Sequence, residues 1–301
     1  MESWIVAAIT AAFFQTLRFA IQKRLTNPAP SGAGLSAVGA TWVRFLYSAP
    51  ILAAALGIWL AASGTSVPTL TPAFWGYAFI GGVAQILATV CVVALFAYRA
   101  FAVGLTFKKS EVLQTALLGW IVLGDAVSRA GFAALVAGFV ALTLLSAPPK
   151  GAPWGEGLRA TGLGLASGAF FAVAGVGYRG ATLEIDAPVA LQAAVALACV
   201  TTMQTVLMAA WLGWRDRAEA VRVLSAWRAG LLAGLLSLGG SLAWFIAFAQ
   251  QNAAYVFALG QIELVFGLVL GRVFFGERPS QRELWGMALL VASIIGLVAV
   301  I

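Results

Sequence analysis

Apolar runs of about twenty residues follow one another along almost the whole chain, divided by short breaks rich in proline, glycine and charge. A run of that length crosses the hydrocarbon of a bilayer as a helix. A helix also closes its backbone hydrogen bonds internally, as lipid requires. Read against the breaks, the sequence predicts ten helices, near 4–25, 37–62, 73–98, 103–123, 129–147, 160–180, 188–213, 228–250, 254–274 and 283–301. The breaks hold Pro28 and Pro30, Pro68 and Pro72, Pro148 and Pro149, Pro188 and Pro279. Composition agrees: 10% of the 301 residues are charged, against about a quarter in a soluble domain.

The two halves repeat. With an offset of 152 positions, Glu111 falls on Glu263, Gly119 on Gly271, Gly124 on Gly276, Asp125 on Glu277 and Ser128 on Ser280. A weaker echo at an offset of 157 sets Ala12-Phe13-Phe14 against Ala169-Phe170-Phe171. The stretch APPKGAPWGEG, residues 147–157, divides the chain near its midpoint. Five helices per repeat is an odd number, so the second repeat enters the bilayer upside down. The expected fold is an all-α polytopic membrane protein: ten transmembrane helices in two inverted five-helix repeats, residues 1–149 and 150–301. Inverted repeats are frequent in secondary transporters, whose sites lie near midplane between the repeats.

The ends of the fourth and ninth predicted helices, Gly124-Asp125 with Ser128 and Gly276-Glu277 with Ser280, resemble the EamA family of the drug/metabolite transporter superfamily. The best-described bacterial comparison in that family is the YddG-type amino-acid exporter. The resemblance implies that helices 1–4 and 6–9 surround a central cavity, with helices 5 and 10 peripheral. It also implies small metabolites as cargo, often moved outward.

Several classes are excluded on chemistry. The net charge of +7 is scattered in ones and twos, which is how membrane proteins carry orientation signals, so no nucleic-acid partner is expected. There is no histidine, no Walker A motif and no close carboxylate pair within one apolar run. No enzyme activity, cofactor or metal is therefore predicted. Cys91 and Cys199 both fall in apolar runs, which argues against a disulfide framework. Met1-Glu2-Ser3-Trp4 lacks the basic start of a cleavable signal.

Lys23, Arg24, Arg99, Lys150, Arg159, Arg215, Arg217, Arg222, Arg228, Arg278 and Arg282 fall on the side opposite the N-terminus, with little beyond Arg129 and Arg179 on the other. Lys and Arg mark the cytoplasmic face. A bacterial-type inner membrane with both termini periplasmic is the expected setting.

The candidate site is the set of polar groups inside apolar helices. Gln15, Arg18 and Gln22 form one stripe on the first helix. Arg18 either snorkels or pairs with a helix end, or it lines a cavity that takes a carboxylate or phosphate. Lys108 and Glu111 share a face and can neutralise each other; Lys109 points about 100° away and is left to find a partner, snorkel or meet a substrate. Glu263 has no base near it in sequence. It is either paired across helices, with Arg18 and the helix 4 lysines as candidates, or protonated, which would suit proton coupling. Gln85 and Thr89, with Gln192, Thr201, Gln204, Thr205, Ser237, Ser241 and Gln250, read as interhelical glue or as site. Tyr98, Trp244 and Tyr255, with Trp42, are candidates for an aromatic wall; Trp4, Trp59, Trp75 and Trp227 read as interface residues. Asp125 reads as a helix cap.

The leading expectation is a secondary carrier exporting amino acids or similar small metabolites by alternating access. The solute's carboxylate would meet Arg18 or a lysine, and its ammonium Glu111 or Glu263. A carrier of phosphorylated or nucleotide-linked metabolites and a non-transporting membrane partner are the alternatives; a homodimer stays open.

Overall fold

The computed structural model describes residues 2–27, 34–95, 108–145, 154–267, 269 and 281–299. Within them the chain is helical, with no strand. The helices are α1 (Ser3–Thr26), α2 (Ala37–Ser63), α3 (Pro72–Leu95), α4 (Glu111–Leu123), α5 (Arg129–Leu145), α6 (Trp154–Leu183), α7 (Val189–Arg215), α8 (Arg217–Ser225), α9 (Trp227–Gln250), α10 (Ala253–Gly260) and α11 (Gln281–Ala299). Six of these, α1, α2, α3, α6, α7 and α9, are long and apolar enough to span a membrane. Shorter apolar helices cover Glu111–Leu123, Arg129–Ala141, Ala253–Gly267 and Leu284–Ala299. The chain is a multi-pass membrane protein.

Local chemistry sets the helix ends. Ser36 accepts from the Gly39 N–H at 3.0 Å to start α2, and Asn252 accepts from the Ala254 N–H at 2.9 Å to start α10. Gly64 and Gly124 close α2 and α4 at φ of 65° and 70°, a left-handed geometry that favours glycine. Asp125 does not cap α5. Ser128 does, accepting from the Gly131 N–H at 3.0 Å, which frees Asp125 to pair with Arg179 of α6. The short α8 was not anticipated. Asp216 caps it through the Glu219 N–H at 2.9 Å, and the Glu219 carboxylate accepts from the Ser36 N–H and hydroxyl, both at 2.7 Å. That ties α8 to the start of α2.

Large apolar side chains face outward, among them Ile58, Trp120, Ile121 and Trp285, while alanines recur through the interior between buried rings and branched side chains. Lipid gives no hydrophobic drive for helix association, so close contact between small residues supplies the attraction. At Gly177 of α6 an added Cβ would lie 2.8 Å from the Cα of Gly81 on α3; the two backbones nearly touch there. α3 packs along α6, α1 along α9 and α5 along α11. Contacts give directions: Ser3 bonds to Gln250, so α1 starts where α9 ends, and Thr71 donates to Glu184 at 2.7 Å, so α3 starts where α6 ends. Trp4 is buried and bonds to Glu2, unlike the interface residue expected; Trp59, Trp75 and Trp227 are exposed.

Candidate functional site

Helix breaks position the central charges. Lys109 and Ser110 form a turn, and α4 begins at Glu111. Gln261 and Ile262 form the matching turn after α10, and the chain is helical again from Glu263. Each glutamate thus opens a helical segment, where free N–H groups and the helix dipole favour a carboxylate. Interrupted helices at mid-membrane recur at transporter binding sites.

The two glutamates and two lysines assemble into one cluster. Lys109 is paired with Glu263. Lys108 lies 3.2 Å from Glu111 and 3.4 Å from Glu263, and its ammonium sits 4.7 Å from the centre of the Phe171 ring. Gln15 donates to the second oxygen of Glu263. Lysines from the fourth predicted helix, not Arg18, are therefore Glu263's ion-pair partners. One acceptor is left over: Glu111 Oε2 is buried with no hydrogen-bond partner among the described residues.

Arg18 is buried, donates to Gln22 and lies 4.2 Å over Phe19. It does not reach the bundle edge. Gln22 donates onward to the Ala40 carbonyl at 2.7 Å, which fixes the stripe against α2.

Arg44 on α2 was not singled out in the sequence. It is 3% exposed and donates to Ser237 at 3.0 Å, Thr89 at 3.3 Å and Ser241 at 3.2 Å. Its guanidinium lies 4.7 Å over Phe45. An arginine at mid-bilayer costs about 3 kcal/mol or more, and hydrogen bonds to a charged group return roughly 1.5–3 kcal/mol each. Three hydroxyls can offset the desolvation, but they leave the charge in place. The only sequence sign was a lone Arg inside the TWVRFL run.

Beside these groups lies a narrow cleft with a cavity volume of about 20 Å³, whose polar lining is Gln15, Gln85, Lys108, Glu111 and Ser241. That is room for about one water molecule. Tyr178, Trp244 and Phe257 are among the rings that close the other side. Trp244 stacks on Phe248 at 5.8 Å. Tyr178 donates to Gln85 at 2.7 Å, and Gln204 of α7 reaches both.

Of the residues expected at a site, Gln15, Gln85, Lys108, Glu111 and Trp244 line this cleft. Lys109 and Glu263 stand directly behind it. Arg18 and Gln22 continue the α1 stripe. Tyr255 is elsewhere: its hydroxyl accepts from the Ser128 N–H at 3.0 Å at the start of α5. Tyr98 lies outside the described residues, as do Gly271, Gly276, Glu277 and Ser280 of the second motif.

The model of the EamA-like transporter family matches residues 158–299. The second half of the chain is similar to that family over nearly its whole length. EamA-like proteins form part of the drug/metabolite transporter superfamily, and the match supports a membrane transporter of that type. A solved crystal structure, described only as that of a protein, superposes with a TM-score of 0.68 over 99% of this chain and 98% of that one. At 16% identity the likeness is one of fold. No curated protein matches the sequence. In this EamA-like chain the matched residues supply α9 and Glu263, while Arg18, Arg44 and both lysines come from the first half.

Proposed function

We propose that the chain is a secondary carrier exporting amino acids or similar small metabolites by alternating access through the cleft beside Lys108 and Glu111. The halves, residues 1–149 and 150–301, would be inverted copies that rock against each other. One observation carries the reading: buried charges from both halves converge on a cleft with an aromatic wall, inside a chain whose second half is similar to a transporter family.

Duplication is supported by the paired turns, at 109–110 and 261–262, each followed by a glutamate. It is supported again by packing, since α3 lies on α6 as α1 lies on α9, antiparallel in both cases. The solute's ammonium would take the free Glu111 Oε2, and its side chain would lie against Trp244 and Phe257. Proton coupling would use Glu263. In the state described, two lysines and Gln15 hold it as a carboxylate, so it can take a proton only when the halves part. The Lys and Arg distribution supports an inner membrane with periplasmic termini.

The test is counterflow in proteoliposomes against amino acids, amines and sugar phosphates. Flux of at least one class is expected, falling tenfold or more in Glu111→Gln while the protein still elutes as a folded species. An imposed pH gradient should drive uptake and its reversal should reverse it. Absence of flux for every class refutes the carrier. Flux indifferent to the gradient refutes coupling alone.

A further inference from the structure

The charges inside the bundle do not balance. Arg18, Arg44, Lys108 and Lys109 are buried there with Glu111 and Glu263; the third buried carboxylate, Glu219, sits at the start of α2, bonded to Ser36 and already paired with Arg222, which leaves an excess of two cations among the described residues. Glu111 and Glu263 are both engaged by the lysines. The surplus therefore sits on the two arginines, neither of which has a carboxylate within ion-pair distance among the described residues. An arginine cannot shed the surplus by losing its proton.

Arg44 differs from Arg18 in where it sits. Ser241, which accepts from Arg44 at 3.2 Å, is itself part of the cleft wall. Arg44 spends three of its five N–H donors on hydroxyls. The oxygens of Ser237 and Ser241 face the guanidinium, and their own protons donate to nothing among the described residues. The arrangement is a cation ringed by hydroxyls with protons to give, opening on a cleft through Ser241. Such a group binds an anion and has nothing to offer a second cation.

We propose that Arg44, with Ser241, is the anion-binding site of the cleft, and that a solute must carry a carboxylate- or phosphate-type group to occupy it. The proposal rests on reading the cleft as the passage, and it moves the recognition of the anion from Arg18 and the lysines to Arg44. A zwitterion fits, with its ammonium at Glu111. An anion without an ammonium also fits. An amine without an anionic group is rejected, because the surplus cations repel it.

Binding tests this independently of flux. The purified full chain in detergent is titrated with 3-phenylpropanoate, succinate and glycerol 3-phosphate, and with 2-phenylethylamine and glycerol as controls, following thermal stability and Trp fluorescence. At least one anion is expected to bind saturably, and neither control. Arg44→Gln should weaken that anion at least tenfold, and Arg44→Lys less. Ser241→Ala changes one hydroxyl only and should weaken it severalfold, which keeps the test alive if Arg44→Gln does not fold. A carboxylate response without a phosphate response, or the reverse, identifies the group. Failure of all three anions to bind, equal binding of the amine, or full anion affinity in both Arg44→Gln and Ser241→Ala overturns the proposal. Anion binding without flux leaves the site standing and refutes the carrier; flux of amines alone does the opposite.

Discussion

Replacing Glu263 with Gln keeps the shape of the side chain and removes its charge. Glu263 pairs with Lys109 and lies 3.4 Å from Lys108. Lys108 keeps Glu111 at 3.2 Å, so the loss falls mainly on Lys109, which is 1% exposed and bonds to Glu263. Removing one member of a buried pair typically costs about 3–5 kcal/mol, because the other charge is stranded. The lower end, about 3 kcal/mol, applies here, since Lys109 retains the more distant field of Glu111. Lys109→Gln should cost less, because Glu263 keeps Lys108 at 3.4 Å and the Gln15 amide. The double variant strands neither charge and should cost no more than Glu263→Gln alone, so the coupling is at least the whole cost of Lys109→Gln. Equilibrium unfolding of wild type, both singles and the double in mixed detergent micelles measures all four corners. If the single effects add to within about 0.5 kcal/mol, the pair is not an energetic unit and the account of the cluster is wrong.

Two further outcomes follow from packing and from the face that carries the N-terminus. Gly177→Ala places a methyl 2.8 Å from the Gly81 Cα and 2.9 Å from the Tyr77 carbonyl, so α3 and α6 must part at a cost of about 1–3 kcal/mol; Gly57→Ala, with nothing within 4 Å, should be neutral or slightly stabilising, and thermal unfolding of the two variants side by side checks both. Arg179 pairs with Asp125 and donates to the Phe248 and Gln251 carbonyls at 2.9 Å and 2.8 Å, joining the ends of α4, α6 and α9; Arg179→Ala should lower stability by about 2 kcal/mol or more and hasten proteolysis near residues 124–128, and an unchanged melting temperature would show that this tie contributes little.

The helices were legible because lipid leaves so few options. The third, fifth and eighth predicted spans, 73–98, 129–147 and 228–250, correspond to Pro72–Leu95, Arg129–Leu145 and Trp227–Gln250. The nine residues of α8 were missed because a short, charged helix leaves no apolar run. Its sign was present all the same, as Asp216 three residues before Glu219, the spacing of a capping box. The role of Asp125 was misread because its partner, Arg179, is 54 positions away, and local sequence offers only the neighbouring helix end. The turns at 109–110 and 261–262 were not legible because no proline marks them, and the polar residues there, Lys108-Lys109-Ser110 and Gln261, also fit one face of an unbroken helix.

Pairing was legible only where both charges share a helix or a repeat. Lys108 and Glu111 stand three residues apart, so spacing alone joins them. Glu263 found its lysines because the repeat lays it over Glu111, which already sits next to them in sequence. Arg44 has no such route. Its partners are three hydroxyls on α3 and α9, and Ser and Thr are too common in apolar helices to mark a site from sequence. Duplication also works against it, for adding 152 or 157 to its number gives Ala196 or Thr201, neither of them charged. The duplicated glutamates are the groups held by salt bridges, whereas the cation left without one has no charged counterpart in the other half. A site made of two like halves would bind both ends of a solute alike. An arginine present in one half only gives the cleft a polarity, and a solute with distinct ends then has one way to enter it.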